Sequence, residues 1–167
     1  MAVILVGFMG AGKTTVGREL AVKMAGVHRD LDDLIVEAAG QSIPEIFVAR
    51  GDAGFRQLEH DTLVKALGDI EILSTGGGTP MQPANFQLLQ AQKTPVVLLE
   101  ASAATILKRI SRDQNRPLVQ TLGSDGLVAL QQQRDPRYHE LADLVIATDH
   151  LLPSQIADQI IAWLAQH

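Results

Sequence analysis

Cysteine is absent from all 167 residues. That removes disulfides, thiolate nucleophiles and cysteine-held zinc, and it suits a reducing compartment. Aromatic residues are scarce, with one Trp, one Tyr and four Phe. Nearly half of the chain is nevertheless apolar and its charge is modest, the composition of an ordinary globular protein. There is no excess of positive charge: the formal net charge of −5 excludes nucleic-acid binding by bulk electrostatics and leaves room only for a local basic pocket. Long hydrophobic runs are missing too. The opening run Met1–Val6 is too short to span a bilayer and has no basic leader, so we expect a cytoplasmic protein without a membrane partner. The five histidines show no ligand-like spacing, and we find no internal repeat, low-complexity tract or linker. Length and pattern together give one domain, residues 1–167.

What is present begins at once. Gly7-Phe8-Met9-Gly10-Ala11-Gly12-Lys13-Thr14 follows the apolar run and fits G-x-x-x-x-G-K-[ST], a cradle for nucleotide phosphates. The glycines let backbone N–H groups approach phosphate oxygens, and the following helix adds its positive N-terminal end. Gly10, Ala11, Gly12, Lys13, Thr14 and Thr15 are the candidate ATP contacts. Among them Lys13 is suited to the β- and γ-phosphates and Thr14 to Mg²⁺.

Val16, Leu20 and Met24 recur at helical spacing. A weak strand at Val27–Arg29 leads into Asp30-Leu31-Asp32, where Asp30, Asp32 and Asp33 all qualify as caps of the next helix, which stops at Gly40. Ser42-Ile43-Pro44-Glu45 opens another helix that Gly51 ends, and a further helix from Asp52 places Arg56 and Glu59 on one side. A strand at Ile70–Ser74 breaks at Gly76-Gly77-Gly78, helix Pro83–Ala91 follows, and Pro95–Glu100 is a strand apolar on both faces. After helix Ser102–Ile110 the stretch Ser111–Ser124 is polar and loop-like, the character of a mobile lid. Helix Gly126–Gln133, strand Leu144–Ala147 and helix Pro153–His167, with Ile156, Ile160 and Trp163 inward, complete the chain. Five strands alternating with helices imply an α/β fold, a parallel sheet covered on both faces, with ligands beyond the carboxyl ends of its strands.

Gly7–Thr14, Asp30-x-Asp32, Phe55-Arg56-x-x-Glu59, Gly76–Gly78, Arg116-Pro117-Leu118 and Arg134-x-Pro136-x-Tyr138 stand in an order and spacing that resembles the shikimate kinase family over essentially the whole chain. The resemblance implies a three-layer α/β/α P-loop kinase fold with a five-stranded parallel sheet in the order 2-3-1-4-5, a helical substrate-binding region at about 31–60 and a lid at about 111–124. It implies transfer of the γ-phosphate of ATP to the 3-hydroxyl of shikimate, on the way to chorismate and the aromatic amino acids, by a monomer that uses Mg²⁺. Asp32 matches the family's substrate ligand and proposed base. Asp30 matches a position that holds a Mg²⁺-bound water. Arg56 and Arg134 match the arginines that grip the shikimate carboxylate, Gly76, Gly77 and Gly78 a substrate loop with Gly77 as backbone donor, and Arg116 a lid arginine over the phosphates. Arg109 and Pro153 match positions that sandwich adenine. Read from the residues alone, Arg56 also suits an ion pair with Glu59, and Arg134 a surface position beside Asp135.

Leu31, Val36 and Leu151 depart from the family's usual residues without touching this set. The nearest alternative is a gluconate-type kinase, which shares the phosphate loop but has no need of the arginines and the triple glycine. A silent ATP and shikimate binding module is the other. No D-x-x-G follows the phosphate loop and no N-K-x-D or G-x-G-x-x-G occurs, so a guanine-nucleotide switch and a dinucleotide oxidoreductase lack their parts.

Overall fold

The computed structural model describes residues 1–112 and 117–167, the side chains of 117–120 excepted. Strand β1, Val3–Val6, has only apolar side chains and is wholly buried, so both of its faces need cover. Alternation along the strand divides the work. Val3 and Leu5 pack with Val16 and Leu20 of helix α1 (Lys13–Met24) and with Ile156, Ala157 and Ile160 of helix α7 (Pro153–Leu164). Ile4 and Val6 face the opposite side, in a larger cluster with Ile35 of α2 (Leu31–Ala39), Ile46 and Leu63 of α3 (Ile43–Leu67) and Phe86 of α4 (Pro83–Gln90). Ile106 of α5 (Ala103–Ile110) and Tyr138 of α6 (Pro117–Leu141) complete that side. The result is three layers, α/β/α.

The remaining strands are β2 (His28–Asp30), β3 (Ile72–Ser74), β4 (Val96–Glu100) and β5 (Leu144–Ala147), and the sheet runs β2-β3-β1-β4-β5 with every pair parallel. This is the order the family resemblance implies. Leu5 lies opposite both Ser74 and Val97, at the centre of the sheet. Parallel alignment carries every carboxyl end to one edge. There β1 opens into the phosphate loop, β2 ends at Asp30, and β3 opens into Thr75-Gly76-Gly77-Gly78.

Local signals explain most element ends. Ser42 and Glu45 form a reciprocal capping box at the start of α3, Ser42 Oγ accepting from Glu45 N–H and Glu45 Oε2 from Ser42 N–H. Gly51, where the sequence predicts a helix end, is a break inside α3 with φ 70° and ψ −176°. Gly123 breaks α6 at almost the same angles, 63° and −176°.

Two expectations need correction. The loop-like reading of Ser111–Ser124 fails beyond the undescribed residues 113–116, because α6 begins at Pro117. Proline is suited to a first helical position, but Thr121–Asp125 are exposed, so this stretch lacks the apolar stripe that would reveal a helix. Trp163 is only partly buried and stacks on His167 at 4.3 Å between ring centres, instead of joining Ile156 and Ile160 in the core.

A Cβ at Gly51 would meet nothing within 4 Å, so the cost of a side chain there is backbone strain alone. Gly51→Ala is expected to lower stability by about 1–3 kcal/mol, read from the urea midpoint. An unchanged midpoint would show that the break does not require glycine.

Candidate active site

Helix α1 starts without a side-chain cap and with no acidic residue in its first turn, which leaves its N–H groups open to an anion. The Lys13 ammonium is folded back onto the loop, donating to Gly7 O at 2.7 Å and Phe8 O at 3.0 Å. One residue on, Thr14 Oγ1 donates to Asp30 Oδ2 at 2.6 Å. The other oxygen, Asp30 Oδ1, caps α2 by accepting from Asp32 N–H at 3.0 Å. Of the three candidate caps Asp30 is therefore the one used, and Asp32, the second residue of α2, has its carboxylate beside Gly76.

Side chains from several elements converge on the triple glycine. A Cβ on Gly76 would come 3.2 Å from Asp32 Oδ1 and 3.0 Å from Thr79 Oγ1; on Gly77, 3.3 Å from Arg134 Nη1; on Gly78, 2.9 Å from Arg56 Nη2. Each glycine thus admits one functional side chain. Arg56 is held from behind: Nη1 donates to Glu59 Oε1 at 2.9 Å, and its guanidinium lies 5.1 Å from the Phe55 ring centre. Glu59 is 1% exposed and also accepts from Thr79 Oγ1 at 2.9 Å, so its buried charge is paired and hydrogen-bonded. The ion pair and the approach to Gly78 occur together. Arg134 is half-buried, not on the open surface, with its guanidinium 5.8 Å from the Phe8 ring centre. Its neighbour Tyr138 is fully buried and donates to Gly77 O at 2.6 Å. Burial pushes the Tyr138 phenol up to about 12, so it remains a donor throughout the neutral range.

On the nucleotide side, Arg109 Nη1 donates to Gly10 O at 3.0 Å and to Thr148 Oγ1 at 3.2 Å. Thr148 Oγ1 in turn donates to Glu100 O at 2.9 Å. Arg109 therefore braces the phosphate loop against the ends of β4 and β5. Helix α5, which carries it, is capped by Ser102, whose Oγ accepts from Thr105 N–H at 3.3 Å, and Asp149 Oδ1 holds that cap by accepting from Thr105 Oγ1 at 2.6 Å, Ser102 Oγ at 2.7 Å and Ser102 N–H at 3.0 Å. These hydrogen bonds, Thr105 first, hold the Asp149 carboxyl well below the usual carboxylate range.

A cavity of about 340 Å³ joins the two halves. Its walls include Gly10, Gly12, Lys13, Thr14 and Thr15 of the loop, Asp30 and Asp32, Gly76 and Gly77, and Arg109. Met9, Thr75 and Ile110 contribute as well. Ala11 is buried in the core beneath the loop, and Pro153, at the first turn of α7, is not part of the wall. Arg56, Gly78 and Arg134 do not line the cavity, although both guanidinium groups lie against the glycine loop. Arg116 lies outside the described residues.

A family model described as shikimate kinase matches residues 9–165. The chain belongs to the shikimate kinase family. It is 46% identical to a shikimate kinase of Xanthomonas oryzae pv. oryzae (strain PXO99A) over 97% of this chain and 91% of that one. It is 45% identical to the enzyme of Limosilactobacillus fermentum over 100% and 97%. In structure it is similar to the shikimate kinase from Acinetobacter baumannii in complex with shikimate, with a TM-score of 0.92 and 37% identity over 99% of this chain and 93% of that one. For a shikimate kinase, the supports that sequence reasoning left without a role are Thr79, Tyr138, Thr148 and Asp149. Tyr138 belongs to a motif visible in the sequence; the others are ordinary polar residues whose partners lie 20 to 48 positions away, beyond any local pattern.

Gly78→Ala is expected to displace the Arg56 guanidinium, raising the KM for the acceptor about tenfold or more while the KM for ATP stays within twofold. Equal changes in both constants would count against that geometry. Asp149 gives a pH prediction. Its folded value is depressed, so its contribution is present above the ordinary carboxylate value and is lost as pH falls below about 4. Asp149→Asn should be less stable than the parent at pH 7, with the gap in urea midpoint narrowing by pH 3; a constant gap would exclude the ionised cap as its source.

Proposed function

We propose that this protein transfers the γ-phosphoryl group of ATP to the 3-hydroxyl of shikimate, giving shikimate 3-phosphate. The observation that carries the reading is that Asp32 shares one cavity with Lys13 and Thr14 while two guanidinium groups lie against the glycine loop that forms part of its wall. The solved Acinetobacter baumannii relative, which is in complex with shikimate, supports the same acceptor here.

In this reading the phosphates lie on the N–H groups of the loop and of the first turn of α1. Lys13 leaves the Gly7 and Phe8 carbonyls for the β- and γ-phosphates, where charge builds up during transfer. Asp32 hydrogen-bonds the ring hydroxyls and takes the proton of the 3-hydroxyl as that oxygen bonds to phosphorus and the bond to ADP breaks. Arg56, fixed by Glu59, and Arg134 bind the shikimate carboxylate, with Gly77 N–H as a further donor. Arg116 closes over the phosphates from the lid at about 111–124, and Arg109 and Pro153 flank adenine.

The donor set fits Mg²⁺. Thr14 and Asp30 offer hard oxygens 2.6 Å apart, and no group of three or more His, Cys, Asp or Glu among the described residues could form a metal cage. Magnesium commonly takes one or two such protein ligands and completes its shell with phosphate oxygens and water. When bound, it would neutralise phosphate charge; Thr14 would contact it and Asp30 would hold one of its waters.

No helix among the described residues is long and apolar enough to cross a membrane. We place the enzyme in the cytoplasm, as a monomer.

A phosphotransfer assay with shikimate, quinate and gluconate tests the reading, and preference for gluconate would overturn it. Arg134→Ala should raise the KM for shikimate about 10–100-fold, the loss of a charge-assisted hydrogen bond, with smaller effect on kcat. An unchanged KM would remove Arg134 from the site.

A further inference from the structure

His28 has no part in the chemistry described above, yet its ring is packed against Gly17 of α1, the helix into which the phosphate loop runs. It is half-buried on β2, two residues before Asp30 and therefore on the same face of the strand. That face docks against α1 at two points. Asp30 meets Thr14 in the first turn, and the His28 ring fills the space left open by Gly17 one turn on, where a Cβ would lie 2.4 Å from His28 Nε2. His28 Nε2 is 2.8 Å from Ser74 Oγ, and Ser74 Oγ is 3.1 Å from the carbonyl oxygen of Lys13. Ser74 is fully buried on β3.

The direction of these hydrogen bonds follows from what each group can do. A backbone carbonyl only accepts, so the Ser74 hydroxyl proton points at Lys13 O. The Ser74 oxygen then accepts, and His28 Nε2–H donates to it. The neutral Nε2–H tautomer and the imidazolium meet that requirement alike. The chain His28–Ser74–Lys13 thus pins the backbone of the phosphate-binding lysine to β3, while Asp30 pins the neighbouring Thr14 to β2.

We propose that His28 is a positioning residue for nucleotide binding: through Ser74 it fixes the first turn of α1, and with it the placement of the Lys13 ammonium and Thr14 hydroxyl on the phosphates. The proposal depends only on the nucleotide half of the function proposed above. Binding of MgADP, measured by calorimetry without any acceptor, therefore tests it even if the acceptor is not shikimate.

His28→Ala and Ser74→Ala are each expected to weaken MgADP binding and raise the KM for ATP about five- to tenfold, the worth of one hydrogen bond, with the KM for the acceptor within twofold. The double variant should be little worse than either single one, because both break the same chain. His28→Gln, which keeps an N–H at a similar reach, should recover most of the loss. If His28→Ala does not fold, Ser74→Ala and His28→Gln carry the test alone. Unchanged MgADP binding in His28→Ala or Ser74→Ala, equal losses for nucleotide and acceptor, or additive effects in the double variant would each overturn the proposal.

Discussion

The site depends on the carboxylate of Asp30, which works in two directions at once. One oxygen receives the hydroxyl of Thr14 and so joins β2 to the phosphate loop; the other caps α2 through the N–H of Asp32. The donor side and the acceptor side are thereby coupled through a single planar group only a few ångströms wide. Asp32 cannot move far relative to the phosphates without breaking that cap. In the proposed reaction, proximity between the two reacting partners, a major source of rate in phosphoryl transfer, is in this way built into a strand end and a helix start.

Around that corner the charges are sorted. The protein as a whole is acidic, with a formal net charge of −5, but Lys13, Arg109, Arg56 and Arg134 all turn toward the open edge of the sheet or the loop behind it. None of the three arginines rests in water alone: Glu59 holds Arg56, the Phe8 ring and Tyr138 adjoin Arg134, and Gly10 O with Thr148 hold Arg109. Preorganisation of this kind reduces the ordering cost when an anion binds. The triple glycine lets the arginines stand close enough to matter.

Much of this was legible in the chain. The phosphate loop, the helix starts at Ser42 and Ser102, the break at Gly51 and the strand Leu144–Ala147 all follow from residue types at short spacing, and Arg56 with Glu59 is a visible i, i+3 pair. Strand order was not readable from periodicity, since pattern fixes which residues are buried but not which strand neighbours which; it came from resemblance. The start of α6 at Pro117 was hidden by polarity. Arg109 illustrates a further limit. A match to an adenine-stacking position says nothing of its bond to Gly10, 99 residues away, which only the folded chain reveals. The Asp30 cap and its bond to Thr14 could be suspected separately, but that one carboxylate does both required the backbone.

The Lys13 ammonium, parked on the carbonyls of Gly7 and Phe8, has a consequence for selectivity. In the proposed reaction a ligand must draw the lysine off these carbonyls, and an anionic group offers the stronger bond. Phosphate does so; a bare nucleoside brings nothing to exchange. On that reading the loop is a turnstile that admits by charge, favouring ATP over adenosine before the base is read at all.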